Sequence, residues 1–181
     1  NKPLQADIAN SMLAHYDKSV EKMLPIWSFY GGETWCMIGY HGVSVVADAL
    51  AKGLLKGNEA LAVEAMLSSA NVGYYDFTDV YRKTGYVPVD QSANGVSITL
   101  ENAYEDWTLY HTLSACGRET EATMYRQRAL NYRNVFDPST GPAMPMAAGR
   151  NPSVCFPLTV KVLLKAMVGI IPFMCLRMSM D

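Results

Sequence analysis

The sequence predicts an all-α fold built from helix hairpins. Apolar residues recur at spacings of three and four along most of the chain, and strand-like alternation is weak throughout. Two strongly apolar helical stretches, 40–55 and 97–115, are each followed by a more polar one, 58–71 and 119–135. The period is about 55–60 residues, and hairpins with an inner and an outer member fit either an α/α toroid or a helical solenoid. With 181 residues, half of them hydrophobic, the chain is long enough for one domain with a sizeable core, not two.

The elements follow in order. From Ala6 to Met23, the residues Ile8, Met12, Leu13, Tyr16, Val20 and Met23 fall on one helical face, and Pro25 is expected to stop that helix. A loop runs on to Gly31-Gly32. Residues 40–55 are apolar on nearly every side, which predicts a buried helix, and Gly57 suits a left-handed position beyond its end. Asn58 is an expected N-cap for a helix to Asn71, whose apolar face holds Leu61, Met66 and Leu67. Residues 74–82 form a short helix. Gly85-Tyr86-Val87-Pro88 reads as extended, because Pro88 pushes its predecessor out of helical geometry. Ser97 is the expected cap of a helix to Ala115, with Leu100, Ala103, Tyr104, Trp107 and His111 along one stripe and Gly117 closing it. A further helix covers 119–135, and Phe136 to Gly141 is a turn by composition.

Past Pro142 the charged residues nearly vanish. Val160 to Met180 is an apolar run, but Lys161, Lys165, Pro172 and Arg177 interrupt it, and no membrane span is expected. The chain therefore divides into residues 1–141 and an atypical tail, 142–181. A net charge of −2 excludes the basic excess that nucleic-acid binding needs. Cys36, Cys116, Cys155 and Cys175 show neither a C-x-x-C pair nor zinc spacing, so buried free thiols are expected. The chain opens at Asn1 with no targeting segment, as a processed protein or a piece of a longer one would.

Chemistry concentrates between Leu24 and His41. There two tryptophans, Glu33, Tyr40 and His41 surround a Gly-Gly turn at the mouth of the buried helix. Flat aromatic faces stack on sugar rings, and carboxylates and imidazoles bind hydroxyls. The same tryptophans also suit core packing.

The run LPIWSFYGGETWCMIGYHGVSVVADAL closely resembles the glycoside hydrolase family 92 pattern LPIW…NET-x-CMIGYHSV-x-V-x-ADA. Farther on, GYVPVD and VSITLENAYEDW are similar to that family's GYIP-x-D and TLEYAYDDW, and RALNYRNVFDPSTG to its RA-x-NY-x-NLFDP-x-TG. Order and spacing agree from about Ala6 to Gly141. The resemblance implies part of an (α/α)6 toroid and a calcium-dependent, inverting exo-α-mannosidase acting on α-linked, mannose-containing glycans. Such chemistry needs one carboxylic acid to protonate the leaving oxygen and a second carboxylate to activate water. Matched onto this chain, the motifs imply Glu33, Trp35, Tyr40 and His41, and with them Tyr104, Asp106 and Trp107, as substrate-binding residues. Packing of an inner helix explains the last three equally well. Asn94-Gly95 and Ile98 depart from the family's usual Glu-Ser and Lys. The resemblance also implies a secreted or periplasmic location.

The family's TEGN-x-W-x-Y and GDED motifs, which carry acid and base, do not occur in the chain, so no catalytic residue and no calcium ligand is assigned. A shifted reading frame explains this. Back-translated into the neighbouring frame, KAMVGIIPFMCLRMSMD permits GNGWNYTLYVPQDVHG, which looks like the family's GN-x-W-x-Y…VP-x-D-V-x-G, preceded by a codon that permits glutamate. The expectation is an inactive chain, its apolar faces prone to self-association. The alternative is a non-catalytic helical scaffold that binds a protein partner.

Overall fold

The computed structural model describes residues 1–137 other than Gly31, Trp35 and Asp76, and the backbone of Gly141 and Pro142; of Asp137, too, only the backbone is described. Helix α1 spans Lys2–Lys18 and buries Ala9, Leu13 and Tyr16. It ends well before Pro25. Ser19 is already extended, and Lys22, with a positive φ, turns its ammonium back to cap the Asp17 carbonyl at 2.6 Å. The expected continuation to Met23 is thereby corrected: Val20 is 93% exposed, while Met23 and Leu24 are buried from the following loop. The loop is tied down where Leu24 N–H donates to Ser69 Oγ at 2.8 Å.

A hairpin follows, β1 (Ser28–Phe29) pairing antiparallel with β2 (Gly32–Glu33). Helix α2 (Gly42–Ala51) buries Val43, Val46, Ala47 and Ala49 but leaves Val45 and Asp48 exposed, so it is less enclosed than its composition suggests. Gly57 has the expected left-handed φ, +85°. Asn58 occupies the N-cap of α3 (Glu59–Ser69) without capping it by its side chain. Its amide instead donates to Asn10 Oδ1 at 2.9 Å, bracing α3 against α1. Helix α4 (Thr78–Thr84) ends in the left-handed Gly85.

Helix α5 runs from Gly95 to Ala115, with Ser97 inside it rather than at its cap. Gly95 starts the helix because its bare Cα rests against the Val87 carbonyl, where a Cβ has no room. Buried residues occur all around α5, from Val96 and Thr99 to Leu109 and Leu113, so it is an inner helix. At its end Gly117, with φ of +72°, lets Arg118 N–H reach back to Leu113 O at 2.9 Å. Helix α6 (Glu119–Ala129) buries only the stripe Ala122, Tyr125 and Ala129, as an outer helix does. It tightens into a 3-10 turn over Leu130–Val135, where a continuous helix is expected from the pattern.

The segment after that turn forms β3 (Phe136–Asp137), paired antiparallel with β4 (Gly141–Pro142). The fold is therefore all-α, with two short strand pairs among the described residues. One core joins α1, α2, α3, α5 and α6. Cys36 and Cys116 are free but exposed, which corrects the expectation of burial: one lies in the loop before α2, the other just past the end of α5. Cys155, Cys175 and the rest of the tail lie outside the described residues, where no expectation is tested. Among the described residues no helix is long and apolar enough to cross a membrane.

Candidate functional site

The structure places six of the seven expected site residues, in separate environments. Glu33 organises its own hairpin: its carboxylate accepts from the amides of Ile26 at 2.5 Å, Trp27 at 3.1 Å and Thr34 at 2.8 Å. Trp35 lies outside the described residues.

Tyr40 and Asp106 face the interior. Tyr40 donates to Asp106 Oδ1 at 2.9 Å, and Tyr81 to Oδ2 at 2.7 Å. Arg128 closes the cluster, with Nη2 at 2.8 Å from Oδ1 and Nε at 3.1 Å from Oδ2. Its guanidinium also lies over the Tyr125 ring, 4.8 Å from the centroid. Burial pushes Asp106 up to about 6, while Arg128, Tyr81 and Tyr40 all favour its charge, so it is ionised at neutral pH. Burial pulls Arg128 down, but Asp106 and the surrounding tyrosines outweigh it and hold the guanidinium charged. This cluster pins the loop before α2 to α4, α5 and α6.

His41 stands at the start of α2 with a carboxylate on each ring nitrogen. Nδ1 is 2.7 Å from Glu105 Oε1, and Nε2 is 3.3 Å from Glu101 Oε2. The hydroxyl of Ser44 donates to the other Glu105 oxygen at 2.8 Å. The hydrogen bond to Glu105 raises His41 above the usual imidazole range, against the opposing effect of burial. Burial raises both Glu101 and Glu105.

Tyr104 and Trp107 are the pair that lines an open surface. With Ser44, Asp48 and His111 they border a cleft of about 570 Å³ between α2 and α5. Their rings stack 6.2 Å apart and 18° from parallel, and His111 meets Trp107 edge-on at 4.4 Å. Nε2 of His111 is buried and has no hydrogen-bond partner among the described residues, and burial lowers this imidazole below its usual range.

The pattern characteristic of the Glycosyl hydrolase family 92 catalytic domain matches residues 1–154. The chain belongs to glycosyl hydrolase family 92. The likeness continues past Gly141, where the recognisable motifs stop. Among solved structures, the family GH92 α-mannosidase BT3965 from Bacteroides thetaiotaomicron is 47% identical, with a TM-score of 0.79 over 87% of this chain. The same enzyme has been solved in complex with mannoimidazole, with the same agreement. The family GH92 inverting mannosidase BT2199 from the same organism is 32% identical, with a TM-score of 0.73 over 86% of this chain. This chain covers 21% of BT3965 and 22% of BT2199. Comparison with the curated proteins finds no match.

Family membership explains why the motif residues cluster around α2 and α5. It does not separate pocket from scaffold. Arg128, Glu101 and Glu105 were not singled out by motif reading, although each lies inside a matching stretch. The one available signal was spacing: Glu101 and Glu105 are four apart and so share a helix face. Nothing local to Arg128 announces Asp106 as its partner. Among the described residues no group of three or more His, Cys, Asp or Glu side chains is placed to hold a metal ion.

Proposed function

We propose that this chain is part of the catalytic domain of an exo-acting α-mannosidase that removes terminal mannose from α-mannosides with inversion and with calcium. The observation that carries this reading is the 47% identity to the α-mannosidase BT3965 across 87% of the chain. The mannoimidazole complex of that enzyme supports a mannose-like ring as the ligand. A secreted or periplasmic location follows from the same resemblance.

Within the chain, Tyr104, Trp107 and His111 suit one wall of a sugar-binding cleft. Stacked aromatic rings offer apolar faces to the C–H side of a pyranose, and the His111 ring packs edge-on behind Trp107. His41 and Glu33 shape the approaches, while Tyr40 and Asp106 support them from the interior. Calcium, as a hard cation with oxygen ligands, would bind sugar hydroxyls and help distort the ring.

The 181 residues by themselves are proposed to be inactive. Inverting hydrolysis requires an acid and a base about 6.5–9.5 Å apart across the scissile bond. Asp106 is committed to Arg128 and Glu105 to His41, and both are fully buried. Neither is free to flank a glycosidic oxygen. Exposed Trp27, Phe29 and Tyr30 on the hairpin give the chain surface for self-association.

The test is a mannoside turnover assay on the purified chain with and without a calcium chelator, beside a fluorescence titration with mannoimidazole. The expected result is binding without turnover. Turnover abolished by the chelator would overturn the inactivity, and absence of binding would remove the cleft from the sugar site. Sequencing the gene beyond the codon for Phe136 tests the shifted frame. The neighbouring frame should show a glutamate before GN-x-W-x-Y and a GDED-type motif downstream.

A further inference from the structure

A neutral imidazole carries one N–H and one lone pair. The ring of His41 faces a carboxylate oxygen on both sides, at 2.7 Å and 3.3 Å. With one proton, it satisfies one carboxylate and turns a lone pair toward the other. With two protons, it donates to both, and charge assistance strengthens each bond. The geometry fits the imidazolium.

The surroundings make that charge consequential. From α5, the charged groups facing His41 are Glu101 and Glu105. From α2, Ser44 supports Glu105 through its hydroxyl. From α1, the segment before β1 and the first residue of β1, the hollow beside His41 presents Ile8, Met12, Pro25, Ile26 and Ser28, with no charge. The loop before α2 is pressed against the same place. Gly39, with φ of +77°, leaves only 3.0 Å between an added Cβ and the Cβ of Glu101. The side chain of Glu101 is 18% exposed and that of His41 30%, so protons reach the pair without unfolding.

We propose that His41 is a protonation-dependent latch: its doubly protonated ring bridges Glu101 and Glu105 and so pins the loop 36–41 and the first turn of α2 to α5. Below the imidazole's own titration range, and above that of the two carboxylates, the latch is closed. A group whose proton is held more tightly in the fold contributes stability at low pH and loses it as pH rises through the folded titration. The latch therefore opens on the alkaline side. The loop it releases leads from Glu33 into α2, so the latch governs the order of the richest stretch of the sequence.

The test uses the full chain and nitrogen NMR of the His41 ring, with amide exchange read as protection factors. The expected ring is doubly protonated below a midpoint above the usual imidazole value of about 6.5. Protection of amides 37–43 is expected to fall on the order of tenfold across that midpoint, the scale of one charge-assisted hydrogen bond, while α6 stays constant. Glu101→Gln should lower the midpoint, and His41→Gln should make loop protection independent of pH. A ring that titrates at or below 6.5, or loop protection that is flat through the titration, overturns the proposal. The wild-type measurements decide the matter even if neither variant folds.

Discussion

Arg128 reaches Asp106 through two nitrogens, Nη2 at 2.8 Å from Oδ1 and Nε at 3.1 Å from Oδ2, with the carboxylate fully enclosed. The partners stand on consecutive helices, α5 and α6, so one guanidinium closes the hairpin from within. Tyr40 adds a donor from the loop before α2 and Tyr81 one from α4. The arrangement is fully hydrogen-bonded, and removing one member strands the others.

Arg128→Ala is expected to cost about 3–5 kcal/mol, because it leaves a buried carboxylate without its cation. Arg128→Met together with Asp106→Leu should recover most of that loss. Urea denaturation of the two single variants and the double variant gives the coupling directly. A single-variant loss below about 1 kcal/mol would show that water reaches the pair.

Gly95→Ala should destabilise by about 1–3 kcal/mol, since the added methyl would press on the Val87 carbonyl and separate α5 from the preceding loop. Gly53→Ala meets nothing nearby, and its cost should be limited to the strain of a positive φ, about 1 kcal/mol. Thermal melts of both variants separate crowding from backbone strain. Equal losses would count against the close approach at Gly95.

Acid should strengthen this fold before it weakens it. Burial raises Asp106, Glu101 and Glu105, so the folded state holds these protons more tightly than the unfolded chain. Stability is then lost as pH rises from about 4, the unfolded carboxylate range, toward the folded value of about 6 for Asp106. Asp79, lowered by Lys83 and Arg82, acts oppositely below the ordinary aspartate range, and His111, lowered by burial, acts oppositely just below the imidazole range. Urea midpoints taken between pH 4 and pH 7 should fall with rising pH. A rise across that window would contradict the assignment.

Trp107→Ala should separate binding from folding. The ring is only partly buried in the cleft wall, so the expected stability loss is about 1–2 kcal/mol. The fluorescence response to mannoimidazole should disappear. Glu33→Ala, by contrast, should loosen the hairpin, because three backbone amides lose their acceptor. If Trp107→Ala binds like the parent, the cleft between α2 and α5 is scaffold.

Helix identity was legible wherever the apolar period was long. Residues 97–115 and the middle of 40–55 could hardly be other than helices, and Gly57 and Gly117 mark true turns; that Gly85 ends a helix was not legible. The end of α1 was not legible. Its periodic pattern runs on to Met23, but the last two apolar positions are met by a loop that tucks Met23 inward and leaves Val20 in solvent. The cap at Asn58 failed for a similar reason: its side chain is taken by Asn10, 48 residues away.

Alone, the sequence determined the helical class, the inner and outer character of α5 and α6 and, through its ordered motifs, the family. Those are properties of local periodicity and of residue strings, which need no partner in space. The tertiary structure decided what the motif residues face. Tyr104 and Asp106 are two apart on one helix, yet one lines a cleft and the other is sealed against Arg128. A helix turns about 100° per residue, so neighbours in a motif point in different directions. Only the packing of α2, α4 and α6 around α5 determines which direction is solvent and which is core.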